Sequence, residues 1–344
     1  MKEVLAKLVQ GTDLSGFEME FAIGCVVDGV ATPAQTGAFL AALAAKGETV
    51  EELVATVHAL RERCLKVRYR GTVVDTCGTG GDGLGMFNVS TAAAFVAAAA
   101  GAKVAKHGNR AASGKVGAAD VLEALGAPIE LTPQAVALCL DRCGFAFLFA
   151  PAYHPALRQV GALRRELGFR TLFNLTGPLC NPAGATRQVI GLFARRWLRP
   201  IAEVLRVLGS ERVMVVHGGD GSDELTPVAE TSVVELRDGA LSEYQVMPED
   251  FGMTRCRIED LAGGDAQENA KLLREVLGGA EGPRSDAVAL NAGAAIYVAG
   301  LAPTLAGGID KARDVLGAGL AQGLLDIYLH ESRAAMERTP EISA

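Results

Sequence analysis

The chain has 344 residues, of which 49% are hydrophobic and 21% charged. This is an ordinary globular composition, and the length suits two domains. The net charge of −7 and a pI near 5.4 argue against sequence-independent nucleic-acid binding, which needs a basic footprint. Met1-Lys2-Glu3-Val4-Leu5-Ala6-Lys7 lacks the apolar core of a signal peptide, and no run of about 18 apolar residues suggests a membrane span. Cys25, Cys64, Cys77, Cys139, Cys143, Cys180 and Cys256 are scattered without a Cys-x-x-Cys pair. They fit a reducing compartment, and Cys139 and Cys143 read as core thiols. The expectation is a soluble, cytoplasmic protein.

Residues 1 to about 67 read as helices alone. Ser15-Gly16-Phe17-Glu18, Thr32-Pro33-Ala34-Gln35 and Thr49-Val50-Glu51-Glu52 are capping-box patterns. Apolar residues at helical spacing follow each, and Asp28-Gly29 and Lys46-Gly47 mark stops. So small a bundle should pack on the rest of the chain or on a second subunit. His58 reads as a helix-surface residue.

From residue 72 strands and helices alternate. Candidate strands are Thr72–Asp75, Lys103–Lys106, Phe145–Phe149, Val189–Phe193 and Arg212–His217. Helices lie near Thr91–Ala100, Gly117–Leu125, Pro133–Cys143, Pro155–Glu166 and Leu198–Leu208. The fold class is α/β around a mostly parallel sheet. Asp238-Gly239 marks a hairpin between Ser232–Arg237 and Ala240–Gln245. Pro248 to Asp265 reads as irregular, and Gln267–Leu277, Ser285–Val298, Gly308–Gly317 and Leu320–Met336 read as terminal helices. Ligands of open parallel sheets collect beyond the carboxyl ends of strands. The glycine loop after Asp75, Lys106-His107 and His217-Gly218-Gly219-Asp220 all stand at such ends.

The loop Gly78-Thr79-Gly80-Gly81-Asp82-Gly83 joins a strand to Asn88-Val89-Ser90-Thr91, which opens an alanine-rich helix. Such an arrangement suits phosphate, because glycine amides converge on an anion and the helix start adds positive partial charge. Gly78-x-Gly80-x-x-Gly83 matches the dinucleotide fingerprint in letters. Leu84-Gly85-Met86 intervenes before the helix, however, and no carboxylate stands near Ala98 to Lys103, so that reading fails. No Gly-x-x-x-x-Gly-Lys-Ser/Thr is present either. Asp82, a carboxylate inside an anion nest, suggests a sugar hydroxyl or a metal as its partner.

Lys106-His107-Gly108-Asn109-Arg110 offers cations for phosphate, and Ser113 and Lys115 follow as further anion partners. Asp223-Glu224 are adjacent acids of the kind that holds magnesium together with water and phosphate oxygens. Among Arg158, Arg164, Arg165 and Arg170, near the Asn174–Pro182 segment, one could read a substrate carboxylate in bidentate fashion; a solvated helix face accounts for most of them. Tyr153-His154-Pro155 reads as a structural turn. Neither a Gly-x-Ser-x-Gly elbow nor an activated cysteine points to covalent catalysis.

Gly78-Thr-Gly-Gly-Asp82, Asn88-Val-Ser-Thr91, Lys106-His-Gly-Asn-Arg110, the Arg164–Pro182 block and Asp223-Glu224, in that order, resemble the anthranilate phosphoribosyltransferase family. The resemblance covers nearly the whole chain. It implies a small helical domain, residues 1–70 joined by part of 165–185, and a larger α/β domain, residues 71–344. It implies a homodimer formed through the helical domains, and transfer of phosphoribosyl from 5-phosphoribosyl-1-pyrophosphate to the amine of anthranilate, a step of tryptophan synthesis. It also implies Mg2+, two ions per active site. The donor would lie on Gly78, Gly80, Gly81, Asp82, Asn88, Ser90, Thr91, Lys106, Ser113 and Ala118. Ser90, Asp223 and Glu224 would hold metal, and Gly78, His107, Asn109, Arg164 and Pro178 would receive anthranilate.

Three positions depart from the family's usual pattern: Met86 stands for threonine, and Val116 and Ala118 for serines. A lost hydrogen bond to a charged group is worth about 1.5–3 kcal/mol, so donor binding is expected to be weaker than is usual in the family. Competing readings are a pyrimidine nucleoside phosphorylase, a non-catalytic nucleic-acid-binding relative, and a transferase for another aromatic amine.

Overall fold

The computed structural model describes residues 1–111 and 116–339. Four helices open the chain: Lys2–Val9, Gly16–Val27, Pro33–Lys46 and Val50–Glu62. All three capping boxes form, with Ser15, Thr32 and Thr49 each accepting from the amide three residues on. Each cap contributes about 1 kcal/mol. Glu52 also works at longer range. Its fully buried carboxylate accepts from the Leu14 amide at 3.0 Å and from Lys46 Nζ at 2.9 Å. His58 is exposed, as expected of a helix-surface residue.

Seven strands follow: β1 (Val74–Gly78), β2 (Val104–Gly108), β3 (Phe145–Phe149), β4 (Arg187–Gly191), β5 (Arg212–Gly218), β6 (Thr231–Arg237) and β7 (Ala240–Val246). They form one sheet in the order β3-β2-β1-β4-β5-β6-β7. The first five in that order run parallel, and β6 and β7 are antiparallel. Asp238 and Gly239 both have positive φ, 52° and 77°, as the expected hairpin turn requires.

Some boundaries differ from the sequence reading. β1 runs on to Gly78 and β4 starts at Arg187, because the two strands pair in register from Val74↔Arg187 to Gly78↔Gly191. That ladder overrides the weak strand propensity of Asp75 and Gly78. The helix expected from Pro155 begins as a 3₁₀ turn, Pro155–Leu157, and becomes α only over Arg158–Leu167. The stretch expected to be irregular holds two 3₁₀ turns, Pro248–Phe251 and Ile258–Leu261, and the short helix Leu172–Thr176 has no counterpart in the sequence reading.

Side-chain alternation gives the sheet two apolar faces. Val189, Met214 and Val216 join one cluster with the helices Val89–Ala99 and Pro283–Val298. Ile190, Leu192, Val213 and Val215 join another with Phe39, Leu40 and Leu53 of the opening helices, with Ile201 and Leu205, and with Leu172, Phe173 and Leu175. The small helical domain therefore sits on one face of the α/β domain. Strand order reverses between β1 and β4, the switch point at which parallel sheets leave a crevice. The loops after β1, β2 and β5 share that rim.

Removing the Glu52 carboxylate would leave Lys46, whose side chain is only 6% exposed, without its buried partner. Breaking such a pair costs about 3–5 kcal/mol. Glu52→Ala is expected to lower unfolding stability by about 3 kcal/mol, read from urea melts. A change under about 1 kcal/mol would mean that Asp13, which also contacts Lys46, suffices.

Candidate active site

β1 and β4 both end in glycine, for a steric reason. A Cβ on Gly191 would lie 1.5 Å from the Asp223 carbonyl oxygen, and one on Gly78 would lie 2.3 Å from an Asp223 carboxylate oxygen. The two glycines make the seat in which Asp223 rests. Asp223 Oδ2 then accepts from the Gly80 amide at 2.7 Å. Gly80, Gly81 and Gly83 have φ of 64°, 75° and 78°, a turn open to glycine at little cost. Asp82 Oδ1 accepts from the Leu84 amide at 3.2 Å.

The helix Val89–Ala99 begins at this rim without a side-chain cap. Asn88 is otherwise engaged. Its Nδ2 donates to the Val116 carbonyl at 3.3 Å, and its Oδ1 accepts from Asn269 Nδ2 at 3.0 Å. Of the first-turn amides, those of Val89 and Thr91 donate to the carbonyls of Phe87 at 2.7 Å and Asn88 at 3.2 Å, and that of Ser90 faces Glu224. An uncapped helix start is a favourable place for an anion. The Thr91 hydroxyl, two residues into the helix, is buried and without a partner among the described residues.

Lys106, at the end of β2, is 2% exposed. Its Nζ donates to the Thr76 carbonyl at 2.5 Å and to Ser90 Oγ at 3.2 Å. Burial lowers its pKa, opposed by the negative charges of Asp75, Glu224 and Asp223. Those carboxyls shift the other way. Burial, with the charge of Asp82, pushes Asp223 up to about 6. Burial and the charge of Asp223 push Glu224 well above its ordinary value. Asp75, wholly buried, is pushed by burial up to about 6, opposed by hydrogen bonds from Asn181 and the His107 amide and by the charge of Lys106. The hard oxygen donors of Asp223 and Glu224, side by side at the rim, suit a divalent cation.

Beyond β2 the character changes. The His107 ring is buried 5.1 Å from that of His154, and the Nε2 of each lacks a partner among the described residues. Burial first and the neighbouring imidazole second hold His107 down to about 3, and burial holds His154 to about 4. The two rings are therefore neutral and apolar in effect. Pro178 is buried beside them, with the Gly177 backbone bonded to His107. Arg164 is half-buried over the Phe173 ring, its guanidinium 5.6 Å from the centroid, and donates to Asn174 Oδ1 at 3.3 Å. Burial lowers its pKa, and it has no acidic partner among the described residues. A half-buried guanidinium without an acidic partner is free to pair with a carboxylate in bidentate fashion. Asn109 is exposed, its Oδ1 accepting from the Arg110 amide at 2.7 Å.

Ser113 and Lys115 lie outside the described residues, but the ends of their segment are anchored. Asp120 Oδ2 takes the amides of Ala111 at 3.1 Å and Gly117 at 2.8 Å, while Arg110 pairs with Asp120 at 2.9 Å and with Glu123. Ala118 begins the following helix, next to Gly108.

Residues 70–322 match the glycosyl transferase family a/b domain, and residues 2–64 match the glycosyl transferase family helical bundle domain. The anthranilate phosphoribosyltransferase of Rubrobacter xylanophilus is 51% identical over 334 residues, covering 97% of this chain and 98% of that one. That of Azorhizobium caulinodans is 48% identical over 343 residues, covering 100% and 99%. The chain belongs to the anthranilate phosphoribosyltransferase family. Among solved structures it is similar to the family member of Thermus thermophilus, with a TM-score of 0.91 at 46% identity over 96% of this chain and 99% of the other. The Saccharomyces cerevisiae member in complex with PRPP and Mg gives 0.88 at 26% identity, covering 96% and 97%.

Sequence reasoning overlooked several residues of this family site. Gly191 seats Asp223 from a different strand, and nothing in its local sequence points to it. Asp75 ties β1 to β2, while Asn181 donates to it at 2.8 Å and to the Ala105 carbonyl at 2.8 Å. Asp220 proves structural, accepting from Ser222 and from Thr226 Oγ1 to shape the loop that presents Asp223.

The neutral imidazoles make stability depend on pH. Between pH 6.5 and about 4 the unfolded chain protonates His154 and the folded chain does not. That share of stability is present above 6.5 and is lost as pH falls. Asp75 and Asp223, with raised values, act in the opposite direction below about 6, so the variant isolates the histidine. His154→Gln is expected to shrink the loss of stability between pH 7 and 4.5 by about 2 kcal/mol, read from denaturant midpoints. Equal losses in both proteins would show that His154 is protonated in the folded state.

Proposed function

We propose that this chain transfers the phosphoribosyl group of 5-phosphoribosyl-1-pyrophosphate to the amine of anthranilate, giving N-(5-phosphoribosyl)anthranilate and pyrophosphate. The observation that carries the reading is the meeting, at one rim, of an anion cradle beside an acidic pair with a low-polarity pocket that ends in an unpaired arginine. Named relatives and solved neighbours along the whole chain support it.

Gly78, Gly80 and Gly81 form the loop that receives the donor, Asp82 takes the ribose side, and Asn88, Ser90, Thr91, Lys106, Ser113 and Ala118 line the polyphosphate. Asp223, Glu224 and Ser90 hold Mg2+, two ions per site. Among the described residues no three His, Cys, Asp or Glu side chains group as a metal site by themselves. Two carboxylates and a hydroxyl leave positions for water and phosphate, as magnesium commonly requires. When bound, the metal stabilises the leaving pyrophosphate. Arg164 pairs with the anthranilate carboxylate, Asn109 orients the ring substituents, and Gly78, His107 and Pro178 wall the ring. The amine is already a nucleophile, and the neutral His107 neither competes for it nor repels charge developing at C1 of ribose. Orientation and electrostatics supply the acceleration.

The helical domain is read as residues 1–70 with part of 165–185, since Leu172, Phe173 and Leu175 pack with the opening helices. Among the described residues no helix is long and apolar enough to cross a membrane. The free thiols fit the cytoplasm, where we place the enzyme.

Following anthranilate fluorescence with donor and Mg2+ tests the activity. The signal is expected to fall, to stay constant without metal, and to fall at least 100-fold more slowly in Asp223→Asn. Ala118→Ser should lower the donor KM. No fall with the wild-type chain at millimolar donor would sink the reading, and thymidine with phosphate would then be tried.

The reading includes a homodimer through the helical domain, supported by Phe17 and Phe21, one turn apart on the helix Gly16–Val27 and 81% and 50% exposed. Covering both rings would remove apolar surface from water, the driving force of such an association. The doubly substituted Phe17→Glu/Phe21→Glu chain should elute as a monomer in size exclusion with light scattering. A monomeric wild-type chain would refute the assembly.

A further inference from the structure

Arg170, one of the four arginines weighed above for a substrate carboxylate, has no part in the proposed transfer. It lies in the connection between the helices Arg158–Leu167 and Leu172–Thr176 and is exposed. Its guanidinium stacks on the Phe193 ring, 3.9 Å from the centroid, and donates to the carbonyl of Gly81 in the glycine loop. Phe193 is itself fastened to that loop, its amide donating to Thr79 Oγ1 at 3.0 Å while the Thr79 amide donates to Gly191 at 2.9 Å. On the other side, the Thr171 amide donates at 2.9 Å to Asn174 Oδ1, the same oxygen that receives Arg164. Two hydrogen-bonded networks, one around the donor loop and one around the acceptor arginine, thus meet at adjacent residues.

We propose that Arg170 is a positioning residue that couples the two substrate sites, locking the Gly80–Gly81 turn when Arg164 is engaged by an acceptor carboxylate. The inference rests on the reading of the glycine loop as donor site and of Arg164 as acceptor site. An exposed cation stacked on an aromatic ring is a weak contact, which suits one that forms and breaks. The turn is held before Gly81 by the bonds of Thr79 and of the Gly80 amide, and Arg170 adds a hold at the Gly81 carbonyl, within a run of positive-φ glycines. A planar guanidinium can lie flat on Phe193 and donate along its edge at once, and an ammonium cannot do both.

Steady-state kinetics of Arg170→Gln, Arg170→Lys, Phe193→Leu and the double variant Arg170→Gln/Phe193→Leu test the proposal. In the wild type, the apparent donor KM should fall as anthranilate rises. Arg170→Gln should raise donor KM about tenfold with kcat changed less than threefold, and abolish that dependence at an unchanged melting temperature. Arg170→Lys should restore part of the donor KM, and the double variant should be no worse than the worse single one. A normal donor KM with the dependence intact in Arg170→Gln overturns the proposal and leaves the transferase reading standing. A wild-type chain that transfers nothing overturns both. A fall in kcat alone, or multiplied losses in the double variant, assigns Arg170 elsewhere and overturns the coupling.

Discussion

The burial of the Lys106 ammonium among three carboxyl groups is the constraint on which the rest of this structure depends. A buried charge must be paired and hydrogen-bonded or it neutralises. Lys106 has the Thr76 carbonyl and Ser90 Oγ as acceptors and feels Asp75 below and Asp223 and Glu224 toward the rim. Burial raises all three carboxyls, and at Asp223 and Glu224 the charge of a neighbouring acid adds to it, while Lys106 opposes the rise in each. A divalent ion arriving with a polyphosphate would oppose it further. The site is therefore built for the bound state and is electrostatically incomplete without it.

That arrangement explains why the sheet takes its particular form. Asp223 comes close to Gly80 only because β1 and β4 end in register in residues without side chains. Asp75 reaches the His107 amide and Asn181 only because β1 and β2 lie side by side. The switch in strand order leaves the crevice, the glycines open its floor, and the uncapped helix Val89–Ala99 supplies one wall. The helical domain adds the other side through Leu172, Phe173 and Leu179, which share its core. The arginine that would read the acceptor is held by a segment packed in one core, while Asp75 stands on β1 and Asp223 and Glu224 on the loop between β5 and β6.

Local devices were legible in the sequence because each is complete within a few residues. The three capping boxes, the Asp238-Gly239 turn and the glycine loop each pair a residue type with a backbone conformation. The acidic pair and the Lys106–Arg110 run were legible by chemistry and by their place after strands. What escaped was anything decided by a neighbour distant in sequence. Gly191 reads as an ordinary strand residue until Asp223 is laid on it. Asn88 reads as a helix cap, yet its side chain is spent on Val116 and Asn269, a competition that only tertiary contact could settle. Strand ends shifted for the same reason, since Gly78 is in the sheet through its partner and not through its propensity.

Met86 shows how a position outside the ligand contacts can still weigh on the site. Its backbone bridges to Ala262, and its side chain packs partly buried against the main core. With Val89, Leu225 and Leu261 it lines a crevice that also holds Glu224. An apolar wall beside a carboxylate removes water that would otherwise stabilise its charge, and so favours the protonated acid when no cation is near. Val116 presents its carbonyl to Asn88, and Ala118 abuts Gly108, so neither offers a hydroxyl toward the rim. On the proposed reading, the donor pocket would rest on backbone groups, Lys106 and whatever cation its acids recruit. Polyphosphate and metal would then bind as one unit, because each would supply the charge that the other's protein contacts lack.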